Sequence, residues 1–233
     1  ILRWDPMMTK ITEGGLVEKY PLIFQDRYAS ARDSCMAFGI ECGPGWYPIL
    51  DVLFERITQY CEEVRFPSPK ALQIKEKFGN LRVYMDVTSP YIDGLIWMAE
   101  SITDSTCEVC GGPARLMGFE AGWLEVRCPD HSRIKAGAAA SKDAVGSVTK
   151  TIMDRPPYER RVPSYTKGGE SITLLDVLNV ALISYCESKK GADVKVEEVR
   201  IEDGSMLFDA EGVDEEAQGI MDMAAAFWRR RSA

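Results

Sequence analysis

Four side chains near the middle of the chain have the types and the spacing of a metal site. Cys107 and Cys110 form a C-x2-C pair, and Cys128 and His131 form a C-x2-H pair after a gap of seventeen residues. Zinc takes four thiolate or imidazole ligands in a tetrahedron, and a two-residue gap allows one tight turn to present both side chains to the same ion. The residues between the pairs alternate in character, so residues 107–131 are predicted to form a zinc ribbon. An iron–sulfur centre or free thiols are the alternatives.

The rest of the sequence limits the chemistry open to such a metal. Four protein ligands complete the tetrahedron, whereas a catalytic zinc ion normally keeps one position for water. Zinc deaminases need a His-x-Glu sequence, but Ser132 and Arg133 follow His131. His131 is also the only histidine in the chain, so a serine or cysteine nucleophile would have no imidazole base. We therefore expect a structural zinc ion in a protein that is not an enzyme, with a metal-dependent enzyme as the remaining alternative.

The elements around this site repeat. Residues 49–63, ILDVLFERITQYCEE, match residues 174–188, LLDVLNVALISYCES, at an offset of 125 residues. The same offset, without gaps, places Gly79 opposite Gly204 and Gly94 opposite Gly219. One helix can resemble another by coincidence, but turn glycines and helix glycines rarely keep the same register as well. The sequence therefore predicts that one module is present twice.

Each copy has the same predicted order of elements. Apolar residues recur at helical spacing at the start of each copy, which predicts a helix. The next runs, LQIKEKFGNLRVYM and VEEVRIEDGSMLF, alternate about Gly79-Asn80 and Asp203-Gly204, which predicts two hairpins with two-residue turns. A closing helix is predicted over residues 92–102 and again over 217–228. Each copy is therefore an α-β-β-α module.

The predicted fold class is α+β, with two tandem α-β-β-α modules related by a pseudo-twofold axis and a zinc ribbon inserted between them. A module of about sixty residues is marginal for a core of its own, so we expect the copies to pack together as the subunits of a dimer do. The predicted domains are an N-terminal segment with the first module over residues 1–106, the zinc ribbon over 107–131, a linker over 132–170, and a second, acidic module over 171–233.

The formal charge of −8 at pH 7 is unevenly distributed. Residues 191–216 carry ten acidic and two basic residues, so the rest of the chain is nearly neutral and a general attraction to nucleic acid is not expected. The first hairpin, residues 70–85, has a net charge of +3, and the second, residues 195–210, has −3. Both can be solvated strand faces; the functional alternative is a pair of oppositely charged binding surfaces. The candidate binding residues are Lys75, Lys77, Arg82 and the ribbon residue Trp123, together with Glu197, Glu198, Glu202 and Asp203.

The sequence gives no indication of a membrane or secreted protein. No apolar run approaches the roughly 18 residues of a membrane span, and the chain does not open on a charged-then-apolar leader. The spacing of its seven cysteines is not that of a disulfide framework. We therefore expect a cytoplasmic protein, either a monomer with a pseudo-dimeric core or a homodimer.

Three motifs taken together resemble an uncharacterised family of phage and prophage proteins. The sequence has ECGPGW before the first helix, KEKFGNLRVY in the first hairpin, and TCEVCGG followed by GWLEVRCPDH in the ribbon. Members of the family carry an ECGDGW helix, a VKEKFGGLRFY strand pair and a TCE-x-CG…GW…C-x-x-H ribbon. The resemblance implies a zinc ribbon and a phage-linked source, but it brings no agreed activity.

The similarity covers about residues 34–131 and leaves the second copy outside. Pro44 stands where the family often has an acidic residue, and Asn80 stands where it has glycine. We expect a non-catalytic, zinc-stabilised binding protein, phage-derived, that acts on a host protein or complex, for example as an inhibitor of a defence or regulatory complex. The main alternative is a nucleic-acid-binding module that uses the basic first hairpin and the ribbon.

Overall fold

The computed structural model describes residues 11–118, 124–132, 174–189, 192–203 and 205–232. This part of the chain contains five α-helices and three small sheets, which confirms the predicted α+β class. The predicted linker lies outside the described residues except for Ser132, and so do Trp123 and Gly204.

The first half of the chain contains three helices and one three-stranded sheet. In chain order the elements are α1 Glu13–Lys19, β1 Ile40–Glu41, α2 Tyr47–Val64, β2 Ala71–Lys77, β3 Asn80–Met85 and α3 Pro90–Thr103. The sheet has the order β1-β2-β3, with β1 parallel to β2 and β2 antiparallel to β3. Helix α2, the hairpin and α3 agree with the predicted module, whereas α1 and β1 are too short to give a periodic signal.

Local sequence explains where the longer helices begin and end. The hydroxyl oxygen of Ser89 accepts a hydrogen bond from the backbone N–H of Ile92 at 3.3 Å and so caps α3. Helix α2 ends before Arg65, whose φ of 57° is left-handed. The N–H of Phe66 then donates to the carbonyl oxygen of Cys61 at 3.0 Å, which satisfies a carbonyl that the helix leaves free.

The first hairpin turns at Phe78 and Gly79, one residue earlier than the predicted turn at Gly79-Asn80. Lys77 and Asn80 form the last pair of the ladder, and the two turn residues have φ values of 55° and 78°, as a type I′ turn requires. The predicted position is wrong because phenylalanine rarely adopts a left-handed conformation. Glycine and asparagine do so more readily, and the sequence therefore favoured Gly79-Asn80 as the turn.

Helix α3 covers the outer edge of β3. The backbone N–H of Leu81 donates to the hydroxyl oxygen of Thr103, and that of Val83 donates to a carboxylate oxygen of Glu100, both at 3.2 Å. These side chains occupy backbone groups that could otherwise pair with a strand of another molecule. The first sheet is therefore closed along this edge.

The ribbon and the second half supply the remaining elements, which are β4 Arg115–Gly118, β5 Leu124–Arg127, α4 Leu174–Ser188, β6 Lys195–Glu202, β7 Ser205–Glu211 and α5 Glu215–Ser232. Strands β4 and β5 form one antiparallel pair, and β6 and β7 form another. The second half thus has the predicted order of helix, hairpin and helix.

The two larger hairpins have the same register at the offset of 125 residues. The ladder of β2 and β3 is irregular between residues 71 and 73, and the ladder of β6 and β7 is irregular between residues 196 and 198. At the turns, Asp203 has a φ of 50° and stands at the position of Phe78. A bulge inserts a residue at one defined point of a ladder, so its recurrence is a more specific likeness than the strands alone.

Helices α3 and α5 cross at two glycines that occupy equivalent positions in the two halves. A Cβ atom on Gly94 would overlap the carbonyl oxygen of Glu216, and a Cβ atom on Gly219 would overlap the carbonyl oxygen of Tyr91. Tyr91 and Glu216 are themselves 125 residues apart, so the two contacts are reciprocal. The helix backbones touch at this crossing, and only glycine fits there.

Side chains from both halves pack into one core. The rings of Trp97 in α3 and Tyr185 in α4 meet edge to face with their centroids 6.2 Å apart. Met98 of α3, Ile220 of α5 and Leu178 of α4 are buried in the same cluster. Each half therefore buries apolar surface against the other, which a unit of about sixty residues needs for its core.

Candidate metal centre

The four predicted ligands lie together in the structure. One donor atom from each of Cys107, Cys110, Cys128 and His131 lies within 4.8 Å of the other three. The Sγ of Cys128 is 3.1 Å from Nδ1 of His131, the Sγ of Cys107 is 3.7 Å from the same nitrogen, and the Sγ atoms of Cys110 and Cys128 are 3.8 Å apart. Ligands of a tetrahedral zinc ion are separated by about 3.3–3.8 Å, given zinc–sulfur bonds of about 2.3 Å and zinc–nitrogen bonds of about 2.0 Å. The separations that involve Cys107 and Cys110 lie in this range, and that between Cys128 and His131 is slightly shorter.

These separations also decide against a disulfide. A sulfur–sulfur bond is about 2.05 Å long, much shorter than the 3.8 Å between Cys110 and Cys128, and all seven cysteines are free. The residues therefore fit a metal ion that is held by three sulfurs and Nδ1 of His131.

A tight turn presents the first two cysteines. The N–H of Gly111 donates to the carbonyl oxygen of Cys107 at 2.6 Å, and the N–H of Cys107 donates to the carbonyl oxygen of Gly112 at 2.7 Å. Gly111 has a φ of 72°, a left-handed conformation that glycine adopts without strain. The second pair comes from the end of β5 and a short 3₁₀ turn over Pro129–His131.

Backbone amides around the first cysteine pair stabilise the thiolate form of Cys107, which is the form that binds a metal cation. Burial disfavours the Cys107 thiolate, but the backbone amides of Cys128, Cys110 and Val109 donate towards its sulfur, and the net effect lowers the pKa of Cys107. Burial raises the pKa of Cys110 to about 11, although the amide of Gly112 works in the opposite direction. A metal ion would stabilise both thiolates.

A glycine loop from the first module lies against this turn. The N–H of Gly45 donates to the carbonyl oxygen of Glu108 at 2.8 Å, and the N–H of Gly43 donates to Oε1 of the same residue at 2.9 Å. A Cβ atom on Gly45 would overlap the carbonyl oxygen of Cys107, and one on Gly43 would overlap the carbonyl oxygen of Glu108. The glycines of ECGPGW are therefore required by the close approach of the cysteine turn.

Trp46, at the end of the glycine loop, joins the same region to the core. Its side chain is fully buried, and its Nε1–H donates to the carbonyl oxygen of Thr106 at 2.7 Å. Thr106 directly precedes the first metal ligand. The start of α2 and the cysteine turn are thus held in one position relative to each other.

The ribbon strands also contact the first hairpin. A Cβ atom on Gly79 would overlap Cδ1 of Leu116 in β4, so the hairpin turn touches the ribbon. Within the ribbon itself, the buried Arg127 of β5 lies 3.1 Å from a carboxylate oxygen of Glu108 and 3.4 Å from one of Glu125. This links β5 to Glu108, the residue that the glycine loop contacts. The ribbon therefore packs against the first module on two sides, at the glycine loop and at the hairpin turn.

The candidate basic residues lie on the outer face of the first hairpin, but they are not equally available. Lys75 lies 5.8 Å from the centroid of the Tyr84 ring, and Lys77 lies 5.7 Å from that of Phe78. Arg82 pairs with Lys75 across the strands, yet its guanidinium contacts the buried Glu100 at 3.2 Å. Lys75 and Lys77 thus present charge to solvent, whereas the charge of Arg82 is partly compensated within the fold.

The candidate acidic residues lie on the second hairpin, where neighbouring cations neutralise some of them. Glu197 contacts Lys195 at 2.8 Å, and Arg200 contacts Glu198 at 3.3 Å and Glu202 at 3.5 Å. Asp203 occupies the turn, and Trp123 lies outside the described residues. The structure therefore brings the metal ligands together and keeps the two sets of charged candidates on separate hairpins.

A buried aspartate, Asp51, is an organising residue that the sequence patterns did not single out. Its carboxylate contacts Lys19 at 2.7 Å and Arg230 at 2.9 Å, and it accepts a hydrogen bond from the hydroxyl of Tyr20 at 2.7 Å. It therefore joins α1, α2 and the end of α5. Its place within an otherwise apolar helix face and its recurrence as Asp176 in the matching segment were the sequence signals.

Comparison of the chain with models of protein families, with curated proteins and with solved structures gave no match. Within the described ranges, every helix is either too short or too polar to cross a bilayer.

Proposed function

We propose that the protein is a non-catalytic binding protein whose first half is held together by a structural zinc ion. The observation that carries the proposal is the contact between the glycine loop and the cysteine turn, where the backbone of Gly45 lies directly against Cys107. A catalytic zinc ion needs an open coordination position, whereas this site offers four protein donor atoms that all lie within 4.8 Å of one another and has backbone packed against one side.

We further infer that the two halves are copies of one α-β-β-α module and that the ribbon is an insertion between them. The shared bulge, the equivalent left-handed turn residues and the reciprocal contacts of Gly94 and Gly219 support this inference. Convergent packing would explain two similar hairpins, but it would not require one constant offset for the bulge, the turn and the helix crossing.

The proposed target is a host protein or protein complex, such as one that acts in defence or regulation, and the proposed source is a phage. Support comes from the resemblance of residues 34–131 to phage and prophage proteins and from the opposite charges of the two hairpins, +3 and −3. Charged faces set the specificity and the rate of protein association. In this proposal the protein acts in the host cytoplasm as a monomer with a pseudo-dimeric core.

This proposal is tested with the zinc-loaded full chain immobilised and exposed to bacterial lysate that has been treated with nuclease. We expect one host protein, identified by mass spectrometry, to be retained and to bind again after purification. Two double variants test the charged hairpins: Glu197→Lys with Glu198→Lys, and Lys75→Glu with Lys77→Glu. We expect at least one of them to weaken binding of the host protein at least tenfold. Retention that occurs in untreated lysate but not in the nuclease-treated lysate would contradict a protein target.

A second candidate function, binding of single-stranded nucleic acid, is favoured by the outer face of the first hairpin. The side chains of Tyr84 and Phe78 are 42% and 51% exposed, and a lysine lies beside each ring. Exposed rings stack on bases while amines contact phosphates.

Fluorescence anisotropy with a labelled 20-nucleotide single strand tests this candidate. We expect the salt dependence of binding to become weaker in the Lys75→Gln, Lys77→Gln variant and to stay unchanged in Lys195→Gln, because fewer phosphates are neutralised only in the first case. Equal slopes for all three proteins would exclude this hairpin as a nucleic-acid surface.

A further inference from the structure

A groove runs between α4 and β6 in the second half of the protein. It encloses a cavity of about 390 Å³, and its lining includes Asn179, Leu182, Ile183, Cys186, Asp193 and Val196. Ile183 is 50% exposed, so the lining presents a large apolar side chain to solvent. We call this feature the α4–β6 groove.

The equivalent place in the first half is filled. Phe54 stands at the position of Asn179, and the rings of Tyr20 and Phe24 pack edge-on against it with centroid separations of 5.7 and 5.4 Å. The N–H of Ala71, at the position of Val196, donates to the carbonyl oxygen of Ile23 at 2.8 Å. The segment that contains α1 and the following turns therefore covers the groove between α2 and β2.

Burial of matched residues shows the same difference along the helices. Leu50 is fully buried, whereas its counterpart Leu175 is 44% exposed. Asp51 is buried beneath Lys19 of α1, whereas its counterpart Asp176 is exposed. The second module is described from Leu174 onwards, so the described residues include no counterpart of the α1 segment. Helix α4 thus exposes a face that α2 buries.

We propose that the α4–β6 groove binds an apolar peptide segment of a partner protein, with an aromatic side chain at its centre and lysine or arginine beside it. This inference rests on the proposed binding function and names the surface and the chemistry of the partner. The partner segment would lie on the second module as the α1 segment lies on the first.

The aromatic residue proposed for the partner peptide is inferred from one difference between the two halves of the chain. Phe54 fills the groove of the first module from within, but Asn179 at the same position is smaller and leaves space. An aromatic ring supplied by the partner would restore the apolar contacts, and burial of one such side chain dominates many peptide interfaces. Leu182 and Ile183 supply the apolar walls.

The positive charge proposed for the partner peptide is inferred from the charges of the groove lining. Glu187 and Asp193 are both lining residues, whereas the lining in the described part of the chain contains no lysine or arginine. Val196 lies in β6, whose charged residues are three glutamates and two cations, Lys195 and Arg200. A cationic segment would therefore be attracted and an acidic one repelled.

The chain itself provides a probe. A synthetic peptide of residues 12–28 contains the Tyr20 and Phe24 anchors, and Glu13→Lys, Glu18→Lys and Asp26→Lys changes make it basic. We expect this peptide to bind the zinc-loaded full chain in fluorescence anisotropy, and the same peptide with Tyr20→Ser and Phe24→Ser to bind at least tenfold more weakly. Equal binding of the two peptides, or no binding of either, would overturn the proposal.

Variants of the protein locate the binding. Ile183→Glu and Asp193→Lys should each weaken binding of the basic peptide at least tenfold. Leu207→Glu is the matched control, because Leu207 is also exposed, at 40%, but lies on β7 outside the groove lining, and its binding should equal that of the wild type. Circular dichroism confirms that the variants fold; unchanged affinity in both groove variants would place the peptide elsewhere and overturn the proposal.

Two further outcomes separate this inference from the function on which it rests. If the peptide binds only after residues 133–173 are replaced by a Gly/Ser linker of equal length, the chain occupies its own groove and the partner proposal is overturned. If a host protein is retained equally by the wild type and by Ile183→Glu, the binding function stands and the groove is not its site. If the peptide binds in the groove but no host protein is retained, the peptide-binding groove stands and the proposed host target is refuted.

Discussion

The backbone of Gly45 lies against the carbonyl oxygen of Cys107, so closely that no side chain fits between them. A residue before the first long helix and a predicted metal ligand some sixty residues later therefore share one contact surface. Stability of the first module and affinity for the metal should change together when this contact is altered.

Gly45→Ala tests this coupling. We expect loss of metal affinity and destabilisation by about 2–4 kcal/mol, because the added methyl group must displace backbone rather than a flexible side chain. Thermal unfolding and zinc titration measure the two effects. Gly14→Ala is the control: its Cβ atom would meet Thr12 only at 4.0 Å, and alanine in a helix adds about 0.5–1 kcal/mol of stability.

Cys107→Ser should remove the metal and destabilise the first half. Metal binding contributes to folding when the ligands are brought together only in the folded chain, so we expect one zinc ion per wild-type chain by elemental analysis and less in the variant. A chelator should lower the melting temperature of the wild type and leave the variant unchanged. An equal melting temperature for the wild type with and without zinc would refute the structural role. Cys35→Ser is the control, because Cys35 is exposed and outside the cluster.

Gly219→Ala should separate α3 from α5. Alanine is the better helix former by about 1 kcal/mol, but its Cβ atom would overlap the carbonyl oxygen of Tyr91. We expect net destabilisation, measured by denaturant unfolding. Gly94→Ala should cost a similar amount, and the double variant should cost less than the sum, because both changes break the same crossing. Gln218→Ala, on the exposed side of α5, should have little effect.

The stability of the second module should depend on the ionisation of Asp214. Its Oδ1 accepts a hydrogen bond from the N–H of Ala217 at 2.9 Å, and its Oδ2 accepts one from the hydroxyl of Tyr185. Burial opposes the carboxylate, but these hydrogen bonds prevail and lower the pKa of Asp214 below 3.8. A lowered pKa in the folded state gives stability that is present above pH 3.8 and is lost as the pH falls through the folded value.

Asp214→Ala should therefore cost about 1 kcal/mol at pH 7, the usual effect of losing a helix cap, and the difference from the wild type should shrink below pH 4. Urea unfolding between pH 3 and 7 measures it. Asp209→Asn, on an exposed strand position, is the control and should follow the wild type at each pH. A constant difference over the whole range would show that the ionised carboxylate is not responsible.

Phe78→Asn should stabilise the protein. Phe78 has a φ of 55°, and a left-handed conformation costs an ordinary residue about 1–2 kcal/mol but asparagine less. We expect a higher midpoint in denaturant. If the first hairpin binds nucleic acid, the same variant should bind single strands more weakly, so stability and binding would change in opposite directions.

Periodicity and turn chemistry were sufficient for the elements whose signals are local. The helices α2 and α4, both hairpins and the cysteine turn follow from spacing alone, and the metal ligands meet as their spacing predicts. The one-residue error at Phe78 has a local cause as well, since the turn places a bulky side chain where glycine or asparagine is expected.

The features that the sequence did not indicate depend on contacts between distant residues. Strand β1 is two residues long and exists because it pairs with β2, and α1 is placed by Asp51 and Phe54, more than thirty residues away. The compensation of Arg82 by Glu100 also requires knowledge of how α3 packs. None of these contacts has a periodicity that could be read in advance.

Because Trp46 is held by the carbonyl oxygen of Thr106, and its glycine loop by Glu108, the start of α2 lacks its partners until the chain has been synthesised past Glu108. The four predicted metal ligands are complete only at His131. During translation the contacts at the start of α2, which begins at Tyr47, would remain incomplete for some sixty residues, and the metal site for some eighty. Zinc supply and elongation rate would then together set how long the apolar surface of the first module is exposed to chaperones and proteases.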